Sequence, residues 1–207
     1  MAAFVETMAV AVPLYVAYRA LAGARRGMPM IGFSRAVYLA MSPKLRFRSM
    51  PISVRVSEAE KIQEFIERKE VGQEHMVVTG PKGVGKTCLV YSVAERRCGT
   101  IKVLVNPGEY TNEIMRKCLN AIAGTTSPFD QPEIIAARAS RFYRLIFRRP
   151  LLLLIETPER TPGQTYPELL TAMKNLNSYY QVRIIVDASP NSTQPELLTN
   201  ERSEVII

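Results

Sequence analysis

The stretch Gly80-Pro81-Lys82-Gly83-Val84-Gly85-Lys86-Thr87 constrains this chain more than any other part of it. Glycine at 80, 83 and 85 permits backbone angles closed to other residues and lets the main chain approach a ligand closely. Backbone N–H groups converging in such a loop suit a polyphosphate, whose charges must be met from several sides. Lys86 would neutralise the β- and γ-phosphates, and Thr87 would offer a hydroxyl to Mg²⁺. A helix starting near Lys86 would add the positive end of its dipole. Such a loop belongs between a strand and a helix. An apolar run at 75–79 precedes it, and a run at 86–97 with Leu89, Val90, Val93 and Ala94 inward follows it. The candidate nucleotide contacts are Gly80, Pro81, Lys82, Gly83, Val84, Gly85, Lys86, Thr87 and Cys88, with ATP and Mg²⁺ as cofactors.

The rest of 57–207 alternates in the same way. Ser57-Glu58-Ala59-Glu60 reads as a capping box opening a helix whose inner face is Ile62, Phe65 and Ile66 and whose stop is Gly72. Strands are expected at 101–105, 151–156, 182–187 and 204–207. Helices are expected from Thr111 or Asn112 to Gly124, and at 132–148, 165–178 and 195–202. At about 100° per residue, Ile135, Ala139, Phe142 and Ile146 share one side of the 132–148 helix. Arg138, Arg141, Arg144 and Arg148 share the other, which reads as a solvated face. The runs at 151–156 and 182–187 are near-continuously apolar, as parallel strands buried on both faces are. The expected fold is α/β, a three-layer domain with a five-stranded parallel sheet flanked by helices.

Net charge is +8, but residues 1–56 hold eight Lys/Arg against one acid, Glu6, whereas residues 57–207 hold nineteen against eighteen. The basicity belongs to the leader, so a nucleic-acid partner is not indicated. Residues 1–26 are rich in Ala, Val and Tyr and end in Arg25-Arg26. Three readings stay open for them: a membrane anchor, a mitochondrial-type import leader, or a helix packed on the domain or a partner. Residues 27–56, with Pro29, Pro43 and Pro51, read as a basic linker holding a short apolar helix at 33–41. Cys88, Cys98 and Cys118 form no CxxC pair, which points to reduced thiols inside the cell rather than zinc or disulfides. His75, the only histidine, opens a strand and reads as structural.

From about residue 52 onward, these motifs resemble the nucleotide-binding domain of AAA+ and STAND ATPases, a branch of the P-loop NTPases. In that family a second apolar strand ends in Asp-Glu, the Asp ordering the Mg²⁺ shell and the Glu polarising the attacking water. Here the strand reads Leu151-Leu152-Leu153-Leu154-Ile155-Glu156-Thr157. Glu156 either replaces the Asp, leaving a hydroxyl where the base belongs, or is itself the base, with Glu159 as a substitute metal group. Either way the resemblance implies slow hydrolysis and a nucleotide-dependent switch, or a scaffold holding ATP without turnover. It further implies Ser189, with Asp187 second, as a γ-phosphate sensor. Arg202 matches the arginine offered to a neighbour's ATP, which implies a protein partner or homo-oligomer. The catalytic candidates are thus Lys86, Glu156, Ser189 and Arg202, and the metal candidates Thr87 and Glu156. The strand between the loop and Glu156 is expected at the sheet edge. A helical lid usually follows in that family. This sequence ends at Ile207, so a fragment, a truncated relative or a minimal module is expected. No N-K-x-D motif speaks for a GTPase. A small-molecule kinase, which shares the loop, stands as the runner-up.

Overall fold

The computed structural model describes residues 28–41, 56–68, 75–79, 85–94, 97–106, 108–125, 131–157, 165–188 and 203–206. The expected leader at 1–26, loop residues 80–84 and the 189–202 segment with Ser189 and Arg202 lie outside them. In chain order the elements are α1 (Met28–Met41), α2 (Val56–Glu67), β1 (His75–Val78), α3 (Lys86–Ala94), β2 (Thr100–Leu104), α4 (Thr111–Ala123), α5 (Pro132–Phe147), β3 (Leu152–Glu156), α6 (Thr165–Tyr180), β4 (Arg183–Asp187) and β5 (Ser203–Ile206).

The sheet is parallel throughout, in the order β2-β3-β4-β1-β5. Strands β2, β3, β4 and β1 form its body, and β5 pairs along the outer side of β1. Parallel pairing follows from the helices in the crossovers: α3 between β1 and β2, α4 and α5 between β2 and β3, α6 between β3 and β4. Strand β2 goes to the edge, and β4 sits between β1 and β3.

Alternating side chains on β1, β3 and β4 serve two separate cores. Val77, Leu153, Ile155, Ile184 and Val186 face the layer of α1, α4, α5 and α6. Met76, Val78, Leu152, Leu154 and Ile185 face α2 and α3. Each fully buried Leu or Ile contributes on the order of 2 kcal/mol, which is why these strands are apolar on both faces. Continuing the alternation by one step puts Glu156 and Asp187, which are partners in register, on the α3 face.

Several local expectations are corrected. The short apolar helix expected at 33–41 is present as α1, which starts five residues earlier at Met28 and buries Phe33, Ala36 and Leu39. Phe33 meets Phe142 of α5 edge-on at 5.7 Å. Arg35 donates to the carbonyls of Ala121 and Ile122 at 2.8 Å each, closing the C-terminus of α4. Because α5 is covered by α1 as well as by the core below, its buried residues are Ala136, Ala139, Ser140 and Tyr143. Of the expected inner set only Ala139 is fully buried, and Arg138 is half-buried rather than on a solvated face. Ser57 is not a cap: the helix already includes Val56, and the Ser57 hydroxyl donates to Glu58 at 2.8 Å. The other end of α2 is held instead. Arg97 donates to the Ile66 carbonyl at 2.6 Å, and Arg183 to the same carbonyl at 2.9 Å. No helix among the described residues is long and apolar enough to cross a membrane.

Candidate nucleotide site

Gly85 closes the loop and opens α3. Its φ is 86°, and nothing lies within 4 Å of where a Cβ would be. Glycine is therefore required here by the backbone angle and not by crowding. Its carbonyl accepts the Leu89 N–H at 2.9 Å, the first bond of the helix. Lys86 and Thr87 occupy the first turn, where amides have no carbonyl four residues back to bond to. Cys88 is exposed on the same turn. The strand before the loop is pinned to its neighbour by the Ala188 N–H, which donates to the Val78 carbonyl at 2.9 Å.

Two carboxylates stand side by side at the strand tips, and each has its own partners. The Thr87 hydroxyl donates to Asp187 Oδ2 at 2.5 Å. Glu156 accepts from the Tyr91 hydroxyl through Oε1 and pairs with Lys102 Nζ through Oε2 at 2.8 Å. The Lys102 ammonium also lies over the Tyr91 ring, 5.0 Å from its centroid. Thr157, in the position where the resemblance puts a base, donates both its N–H and its hydroxyl to the Asp187 carbonyl, each at 3.2 Å. It fastens the tip of β3 to that of β4.

Burial is the largest influence on the titration of Asp187 and Tyr91. The Asp187 carboxyl is pushed above the usual carboxylate range by burial, against the Thr87 hydrogen bond and the Lys86 charge. The Glu156 charge beside it adds to the rise. Tyr91 is raised by burial and then by its hydrogen bond to Glu156, so its hydroxyl stays a donor.

Of the sequence candidates, Lys86, Thr87 and Glu156 converge on the C-terminal edge of the sheet, on the α3 face. Ser189, Arg202 and Gly80, Pro81, Lys82, Gly83 and Val84 fall outside the described residues. Thr87 meets Asp187, the second choice for the sensor, and not Glu156. Lys102 and Tyr91 were missed, although both carried a signal. Tyr91 is four residues after Thr87, one turn along the same helix face. Lys102 alternates with Ile101 and Val103, which face the other core, so it points to α3.

No protein-family model matches this chain, and no curated protein matches it. Among solved structures it is similar to the ORC2 protein of Aeropyrum pernix, whose structure was solved in ADPNP–ADP complexes. Sequence identity is 15% and the TM-score 0.41, over 70% of this chain and 43% of that one. This chain thus spans less than half of that neighbour's length. What its own geometry presents is a parallel α/β sheet with an inner strand and a helix on either side of the glycine-rich sequence 80–85. That is consistent with a P-loop-like domain.

Proposed function

We propose that this chain binds Mg·ATP and acts as a slow ATPase of the AAA+/STAND kind, a nucleotide-dependent switch. One observation carries the reading: the Thr87 hydroxyl, in the first turn of the helix that follows the glycine loop, is held by a strand-tip carboxylate. The donor set suits Mg²⁺. Among the described residues no group of three or more His, Cys, Asp or Glu could hold a metal alone. Mg²⁺ in phosphate sites takes most of its ligands from water and the nucleotide and only one or two from protein. Thr87 would hold it, with a strand-tip carboxylate ordering the site, and the bound ion would neutralise charge on the β- and γ-phosphates. Lys86 would bind the same oxygens, and Ser189 and Arg202 are carried as the sensor and the residue offered to a neighbour.

Slow turnover follows from the engaged carboxylate. Glu156 is neutralised by Lys102 and receives the Tyr91 O–H, and the Thr157 hydroxyl is committed to a carbonyl. Neither is poised to take a proton from water. The same observation favours a second reading, an ATP-filled scaffold without turnover.

Calorimetric titration of the folded chain with ATP, ADP and GTP, with and without Mg²⁺, tests the proposal. ATP should bind in the presence of Mg²⁺, and Lys86→Ala should weaken it at least about tenfold, or ~1.4 kcal/mol. No purine nucleotide bound at about millimolar concentration would overturn both readings. Phosphate release no faster than in Lys86→Ala would leave the scaffold.

A further inference from the structure

The two strand-tip carboxylates are not equivalent. Glu156 ends β3, and Asp187 ends β4, the strand directly beside β1. Neighbouring strands are ~4.8 Å apart, so Glu156 starts one strand further from the loop that follows β1. Each also has a different chemical task. The ammonium of Lys102 already compensates the Glu156 charge at 2.8 Å, and the Tyr91 hydroxyl takes its other oxygen. A cation recruited by Glu156 would have to compete with a lysine of the same chain. Asp187 accepts a hydrogen bond from the Thr87 hydroxyl. A hydroxyl has one hydrogen and two acceptor lone pairs. Once its hydrogen is committed to Asp187, both lone pairs of the Thr87 oxygen are left for a cation, and the negative partner makes that oxygen a better donor.

We propose that Asp187, on β4, is the positioning residue that sets the Thr87 hydroxyl for the metal of the nucleotide, and that Glu156, on β3, is reserved for Lys102 and Tyr91. This rests on the Mg·ATP reading above and assigns the metal-ordering role to the strand next to the one where the sequence placed it. Asp187 acts through Thr87, so its signature is a loss of the Mg²⁺-dependent part of nucleotide affinity, with the Mg²⁺-independent part kept.

The experiment measures ATP affinity of the full chain with Mg²⁺ and with EDTA, for wild type, Asp187→Asn, Glu156→Gln, Thr87→Val and the double variant Asp187→Asn/Thr87→Val. The ratio of the two affinities is the Mg²⁺ enhancement. Asp187→Asn should cut the enhancement by about tenfold or more, the usual consequence of losing a residue that orients a metal ligand. Its affinity in EDTA should stay near wild type, which also shows that the variant is folded. Glu156→Gln should keep the enhancement within about twofold of wild type, well inside that loss. Thr87→Val should lose it, and adding Asp187→Asn to Thr87→Val should cost nothing more, because the two act as one unit. Loss of the enhancement in Glu156→Gln, its retention in Asp187→Asn, or additive losses in the double variant would each overturn the assignment. No ATP binding by wild type in EDTA or Mg²⁺ would instead sink the nucleotide reading itself.

Discussion

His75 shows how one side chain couples the fold to pH. It opens β1 with 2% of its surface exposed. Burial, and after it the charge of Lys174, depress its pKa from 6.5 to about 4. The imidazole is therefore neutral in the fold at pH values where the unfolded chain protonates it. The stability it permits is complete above pH 6.5 and falls as pH drops from 6.5 towards 4. Below that range it is constant. The whole effect is about 3 kcal/mol. Denaturant unfolding between pH 7 and pH 4 should show this loss, and His75→Val should flatten the profile in that window. An unchanged slope in His75→Val would mean that another group carries the acid sensitivity. That His75 is structural was legible in the sequence, because a lone histidine opening an apolar run has no neighbours with which to build a metal site or a triad. That Lys102 and Tyr91 pair with Glu156 was not legible: they are 54 and 65 positions away, and only the sheet brings them together.

At the scale of elements, the packing of α1 on α5 is sensitive to a small change. Glycine inside a helix ordinarily costs about 1 kcal/mol relative to alanine, so Gly32→Ala would stabilise an isolated helix. Here a Cβ on Gly32 would lie 2.5 Å from the Cβ of Arg138 and 3.4 Å from the Ala139 nitrogen. A contact to a Cβ close to the backbone cannot be relieved by turning a side chain. Overpacking of this kind costs ~1–3 kcal/mol, which outweighs the helical gain. Gly32→Ala should therefore lower the denaturation midpoint, while alanine at the exposed Ser34 of the same helix should not. A more stable Gly32→Ala would mean that α1 is not seated against α5. A short helix at 33–41 was legible, but the proline and basic residues around it gave the stretch the look of a linker. Its role in the fold depends on a partner helix about a hundred residues later, which no local pattern announces.

On the scale of the whole molecule, the site is an edge at which separately built pieces meet. The loop helix α3 lies on one face of the sheet, and β3 and β4 bring in their tips from crossovers that run over the other face. A ligand that bridges these pieces binds the folded chain and not the unfolded one. Saturation with Mg·ATP at about 100 times Kd should stabilise the fold by ~2.7 kcal/mol. Thermal melts should show an upward shift in Tm with Mg·ATP in wild type and a smaller one in Lys86→Ala at the same concentration, where an about tenfold weaker Kd leaves ~1.4 kcal/mol. An equal shift in both would move the nucleotide away from the loop.

The sequence by itself determined the alternation of strand and helix, the doubly buried strands and the glycine loop, because each depends on contacts within a turn or two or on a residue's own backbone freedom. Gly85 at φ 86° and Gly124 at φ 71° closing α4 sit where the chain alone put them. Only the tertiary structure decided which carboxylate meets Thr87. Both strands end in an acid, and periodicity treats Glu156 and Asp187 alike. Strand order separates them, since it places β4 between β1 and β3, and strand order is a property of long-range packing rather than of any segment.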